Sequence, residues 1–138
     1  MRKGFTLLEL IIVVIIIGVL SSLAIPRFLN AVEKAKAAKA KNAMVLIAKA
    51  AKMYAAESDA NVYPSINDGN FSATDGSGLG HLIEMVEIDN DSDWDYTLTG
   101  GDDTYTIEAK RKTGRFADST ITLDQDGKWE YDEVVWGQ

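Results

Sequence analysis

The chain has no cysteine, so neither a disulfide nor a thiolate nucleophile or ligand is available to it. Histidine is almost as scarce: His81 stands alone among 138 residues, which leaves no nucleophile–base pair of the usual kind. His81 therefore reads as a loop or turn residue, and no catalytic residue or cofactor is expected. Basic residues are scarce in the second part of the chain, where residues 53–138 hold five against nineteen acidic ones, a balance of −14. Phosphate backbones are bound by clustered Lys and Arg. Nucleic acid is accordingly not an expected partner of that part.

What the chain does have is one long apolar run, FTLLELIIVVIIIGVLSSLAI, over residues 5–25. As a helix rising 1.5 Å per residue it is about 30 Å long, the thickness of a bilayer's hydrocarbon core. A single carboxylate, Glu9, interrupts it. Near the bilayer centre an ionised side chain costs roughly 3 kcal/mol on insertion scales, and such groups usually mark function. Glu9 lies near one end of the run, where the cost is smaller, but a partner for it is still expected.

Beyond the run, residues 27–52 carry seven basic residues against Glu33 alone, a balance of +6. This basic stretch is either a solvated helix face or a surface that meets an acidic partner. No turn signal interrupts residues 27–58, which are rich in Ala and Lys, both strong helix formers. Ala37, Ala40, Met44, Ile47, Ala48, Ala51, Tyr54 and Ala55 recur at spacings of three and four and make one apolar stripe. Large side chains begin at Met44, so a globular head is expected to pack from about there onward. Pro26 removes one helical hydrogen bond and crowds the carbonyl of Ser22, Gly18 costs roughly 1 kcal/mol relative to Ala, and Ser21 and Ser22 compete for backbone partners. Gly18 and Pro26 therefore bound the weakest stretch of the helix.

The segment Asp59-Ala60-Asn61-Val62-Tyr63-Pro64 stops the helix, because Pro disfavours helical geometry in the residue before it. A polar loop follows to about Gly80. Its Gly76-Ser77-Gly78-Leu79-Gly80 lacks the dinucleotide-binding spacing and has no strand before it. Residues 79–86 suit a short helix or turn. From Trp94 the period switches to two: Trp94, Tyr96 and Leu98, then Tyr105, Ile107 and Ala109, across Gly100-Gly101-Asp102-Asp103. Ile121 and Leu123 pair in the same way with Trp129 and Tyr131 across Asp124-Gln125-Asp126-Gly127. That turn looks like a fragment of a calcium loop, but it lacks the repeated ligands and downstream Glu, so a hairpin turn explains it and no metal is expected. The acidic run Asp89-Asn90-Asp91-Ser92-Asp93-Trp94-Asp95 is expected to be solvated. The fold class is α+β: a long helix packed on an antiparallel sheet of about four strands.

The opening residues Met1-Arg2-Lys3-Gly4, then Phe5, then Glu9, resemble the N-terminus of type IV pilins and their pseudopilin relatives. In that family a short basic leader ends in Gly, cleavage leaves a new N-terminal Phe, and a Glu follows four residues on. Gly18 and Pro26 match the family's helix as well, and the resemblance extends over roughly residues 1–64. It implies a cleaved leader (1–4), a transmembrane and assembly helix (5–26), its amphipathic continuation (27–58) and a globular head (59–138). It further implies cleavage between Gly4 and Phe5 and N-methylation of Phe5 by a prepilin peptidase and methyltransferase. Assembly would proceed through Phe5 and Glu9 on an inner-membrane platform. The subunit would wait in membrane lipid as a single-pass precursor and then polymerise into a helical homo-oligomer at the cell surface.

Many pilins close their C-terminal region with a disulfide, which this chain cannot do. The major pseudopilins of type II secretion typically carry an Asp-Pro-Trp-Gly calcium loop. Here Trp136-Gly137 lacks the preceding Asp-Pro, which favours the major subunit of a type IV pilus over the pseudopilin alternative. A further alternative is an ordinary secretory signal with a cut after Ser22-Leu23-Ala24, releasing a soluble domain.

Overall fold

The computed structural model describes residues 4–58, 62–132 and 136. Met1-Arg2-Lys3 of the basic leader and Asp59-Ala60-Asn61 of the helix stop lie outside the described residues. Helix α1, Leu7–Glu57, is 51 residues long, or about 75 Å at 1.5 Å per residue. It runs without a break through Pro26 and through the alternative cut before Ile25. Within the weak stretch the Ser22 hydroxyl donates to the Val19 carbonyl at 2.7 Å, the competition expected of a serine there. α1 ends with the Ser58 N–H donating to the Tyr54 carbonyl at 3.1 Å.

Four strands form a meander: β1 Trp94–Gly100, β2 Tyr105–Arg111, β3 Thr120–Asp124 and β4 Trp129–Tyr131, all antiparallel and in sequence order. Register sets Leu98 opposite Ile107, Ile107 opposite Leu123, and Leu123 opposite Trp129. Because side chains alternate across a strand, Tyr96, Leu98, Ile107, Ala109 and Ile121 share one buried face. Both hairpin turns fall where the sequence places them, with Asp103 at φ 63° and Gly127 at φ 82°. Of the helix or turn expected over residues 79–86, the turn forms: the Leu79 carbonyl accepts from the N–H groups of Leu82 and Ile83, and a short helix, α2, follows at Val86–Asp89. Gly80 has a packing role, since a Cβ there would collide with the Ser72 carbonyl.

The buried stripe of α1 lies over the sheet, chiefly on β2. It comprises Ala37, Ala40, Met44, Ile47, Ala48, Ala50, Ala51 and Ala55, with Tyr54 half-buried beside it. Contact begins at Ala37 and not at Met44 as expected. Alanine lets the helix backbone approach the sheet, so a stretch of small residues is as covered as one of large ones.

A charged clamp extends this contact further down the stem. Arg111, 1% exposed, donates to Asp93 Oδ1 at 2.7 Å and reaches Glu33 Oε2 of α1 at 3.4 Å. Lys36 joins Asp93 at 2.9 Å, and Lys39 joins Asp91 at 3.1 Å. Asp91, 4% exposed, also accepts from the Tyr96 hydroxyl at 3.0 Å. Asp89 accepts from the N–H groups of Phe71 and Ser72, each at 2.8 Å. The acidic run is therefore not solvated. Asp89, Asp91 and Asp93 turn inward because β2 and the stem bring cations to them and the loop at Phe71 and Ser72 brings amides, while Asp95 pairs with Lys112 on the outer face at 2.7 Å.

The Arg111 hydrogen bond holds the Asp93 carboxyl below its ordinary pKa, with Lys36 adding to the effect. A depressed folded-state value contributes stability that is present above the unfolded pKa and lost as pH falls through the folded one. Burial pushes Asp68 the other way. Thermal melting of the detergent-solubilised chain should thus weaken below about pH 4, and less so in Asp93→Asn. Arg111→Met strands Glu33 and leaves Asp93 with Lys36 alone, and should cost about 3 kcal/mol at neutral pH. A melting temperature unchanged by Arg111→Met would show that the clamp contributes nothing.

Candidate assembly site

At the start of α1, Thr6 is the N-cap and Glu9 the third helical residue, and the two form a reciprocal capping box. The Glu9 N–H donates to Thr6 Oγ1 at 3.2 Å. Glu9 Oε2 accepts from the Thr6 N–H at 2.9 Å and from its hydroxyl at 3.0 Å. The box satisfies two otherwise orphaned donors and sets an anion at the positive end of the helix dipole. It also supplies the carboxylate with hydrogen bonds from within its own chain, which lowers the cost of carrying it in an apolar segment.

Thr6 is the residue that the sequence reading passed over. The signal was present, because Thr6-Leu7-Leu8-Glu9 has the S/T-x-x-E spacing of a capping box. While Gly4 remains joined to Phe5, position 5 offers only a peptide N–H. Cleavage would create a free amine, a cation near neutral pH, and a further donor for Glu9 beside the Thr6 N–H and hydroxyl.

Phe5 is 93% exposed. From there to Leu29 the aliphatic side chains are exposed on every azimuth, and the helix is long and apolar enough to cross a membrane, with none of that window buried. A Cβ at Gly4 or at Gly18 would meet nothing within 4 Å. Neither glycine is therefore required by packing inside this molecule.

Farther along the stem, three of the seven basic residues turn to the chain's own head, an outcome the sequence reading did not foresee. Lys36 and Lys39 join the clamp, and Lys41 donates to the Trp136 carbonyl at 2.9 Å and lies over the Tyr131 ring. Arg27, Lys34, Lys49 and Lys52 make no ion pair among the described residues. Arg111 was also missed, although it continues the inward alternation of Tyr105, Ile107 and Ala109. His81 lies 3.9 Å from Glu57 and edge-on to Tyr54, joining loop to stem. In the β3–β4 turn, Asp124 Oδ1 accepts from the N–H groups of Asp126 and Lys128 at 3.0 and 2.8 Å, as a hairpin turn requires.

An uncovered apolar half-helix long enough to cross a membrane, a capped carboxylate at its start and a head clamped to its other half define the class: a chain whose single helix is apolar in one half and a scaffold for the head in the other. Residues 1–25 match the family described as the prokaryotic N-terminal methylation motif. Among similar proteins is the type II secretion system core protein G of Escherichia coli (strain K12), 43% identical over 68 residues, 49% of this chain and 46% of that protein. Core protein G of Vibrio cholerae is 44% identical over 71 residues, 50% and 47% of the two chains. The type IV major pilin protein PilA of Myxococcus xanthus is 33% identical over 88 residues, 64% and 40%. The chain thus spans less than half the length of these relatives. No solved structure matches. Residues 1–25 thus carry the prokaryotic N-terminal methylation motif, and about half of the chain is similar to type II secretion core protein G and to a type IV major pilin.

Since nothing in the fold needs Gly4, a bulky residue there tests recognition by the peptidase alone. Gly4→Leu should leave full-length precursor in the membrane, seen by mass spectrometry of the membrane fraction, with the helix intact. Normal processing would remove the assignment of the cut.

Proposed function

We propose that the protein is the major structural subunit of a type IV pilus. It is held in the inner membrane by residues 5–26, cleaved after Gly4, N-methylated on Phe5, and polymerised into a helical filament on an inner-membrane platform. The observation that carries this reading is the capped Glu9 at the head of a helix whose apolar half the fold leaves uncovered. Lipid covers that half in the precursor, and other copies cover it in a filament. Once Phe5 carries a free amine, the Glu9 carboxylate of a neighbouring copy can take it as a counter-ion. A slip of one residue would then strand two charges in an apolar bundle, where unpaired charge is costly.

The pseudopilin of a type II secretion system is the second reading, supported by the higher identity of the core protein G relatives. The longer reach of the PilA match and the absence of Asp-Pro before Trp136-Gly137 support the pilus. Deleting the gene in its host and assaying both sheared surface filaments and secreted hydrolases separates the two: loss of filaments alone supports the pilus, loss of secretion alone the pseudopilin. N-terminal sequencing at Phe5 rather than Ile25 excludes an ordinary signal peptide.

Glu9→Val should insert and be cleaved normally yet give few filaments. Abundant filaments from it would show that apolar packing suffices. Gly18→Ala with Pro26→Ala should straighten and stabilise α1 and impair assembly, provided the stretch must unwind as copies pack. Filaments of normal yield and geometry from that double variant would leave it a passive feature of the helix.

A further inference from the structure

Arg27, Lys34, Lys49 and Lys52 are the four stem cations with no ion pair among the described residues, and at 100° per residue they fall within about 60° of one another. The one acid in this stretch, Glu33, points the other way, toward Arg111. The outer face of the stem is therefore a cationic stripe with no counter-charge on its own helix. Val45 lies in that stripe and Met53 at its edge, 40% and 44% exposed. The β3–β4 turn borders the same face with Asp124 and Asp126; Asp124 is engaged by its own turn, and Asp126 is the one carboxylate of that turn exposed beside Lys49 and Lys52.

Beyond the N-terminal apolar segment, the exposed large hydrophobic side chains among the described residues are Val45, Met53 and Val86. Val86, 50% exposed, sits on α2 between the exposed carboxylates of Glu84 and Glu87. These three residues rim a groove of about 420 Å³ whose stem wall includes Ala43 and Leu46. The molecule thus carries two surface patches of like composition and opposite charge. Each has apolar side chains flanked by a pair of ions, cations on the stem and anions on the head. Neither patch can pair with its own copy, because like charges would meet. Contact between unlike patches is heterologous, and a heterologous contact that does not close repeats into an open helix.

We propose that the acidic rim of one copy docks on the cationic stem face of the next, with Val86 against Val45 and Met53, and Glu84 and Glu87 against Lys49 and Lys52. The proposal rests on the filament reading and adds which head surface meets which stem face. The occupant of the groove is a second copy of this chain.

Charge reversal in the full chain, expressed in its host, tests the contact. Lys49→Glu with Lys52→Glu, and separately Glu84→Lys with Glu87→Lys, should each lower sheared filament yield at least about tenfold through like-charge juxtaposition. All four substitutions together should restore it. Parental yield from either pair, or no recovery in the combination, overturns the contact. With no native cysteine, Met53→Cys with Val86→Cys gives a clean second measurement: oxidised filaments should run as a ladder of multimers without reductant. Filaments that yield only monomer overturn the contact and leave the filament reading standing. A parent chain that makes no filaments overturns that reading, and the contact with it.

Discussion

Residues 5–29 present large aliphatic side chains on every side of α1 and the folded head covers none of them, so the molecule is incomplete without a second phase, whether lipid or further copies. At roughly 25 cal/mol per Å² of apolar surface, leaving such a segment in water is prohibitive. Everything else in the architecture serves this constraint. The capping box closes the start of the helix so that its first donors are not bare, and the head is fixed to the far half, where it cannot obstruct the apolar one.

The junction between the halves is where the physics changes. Up to Leu29 the helix is uniform around its axis, and from Ala37 it is amphipathic, with alanines against β2 and lysines around them. Glu33, Arg111, Asp93 and Lys36 lie at that boundary. A buried ion network of this kind is weak evidence of net stability but a strong determinant of geometry, because only one docking of head on stem pairs all its members. It fixes which face of the stem is covered and, by exclusion, which face is left open. The net charge of −7 conceals this division. Acid on the head and base on the stem are partly used inside one chain, and the remainder sits on separate surfaces.

What the sequence determined alone is whatever depends on local order. The apolar run and its single carboxylate follow from composition over a short window. The stem's stripe follows from spacings of three and four, and the strands with their turns from alternation broken by Gly and Asp. The start of the helix was legible too, in Thr6-Leu7-Leu8-Glu9, for a capping box is a contact between residues three apart. Tertiary structure decided where Asp89, Asp91 and Asp93 point. Their partners are the Phe71 and Ser72 amides, Lys39, Arg111 and Lys36, residues distant in sequence that meet only when the head folds and, for the two lysines, when it lies on the stem. It also decided how far down the helix the head reaches, since alanine is neutral as to burial until a partner surface arrives. A charged residue read along a chain looks solvated by default. Only packing shows which charges are consumed within the fold and which are left for another molecule.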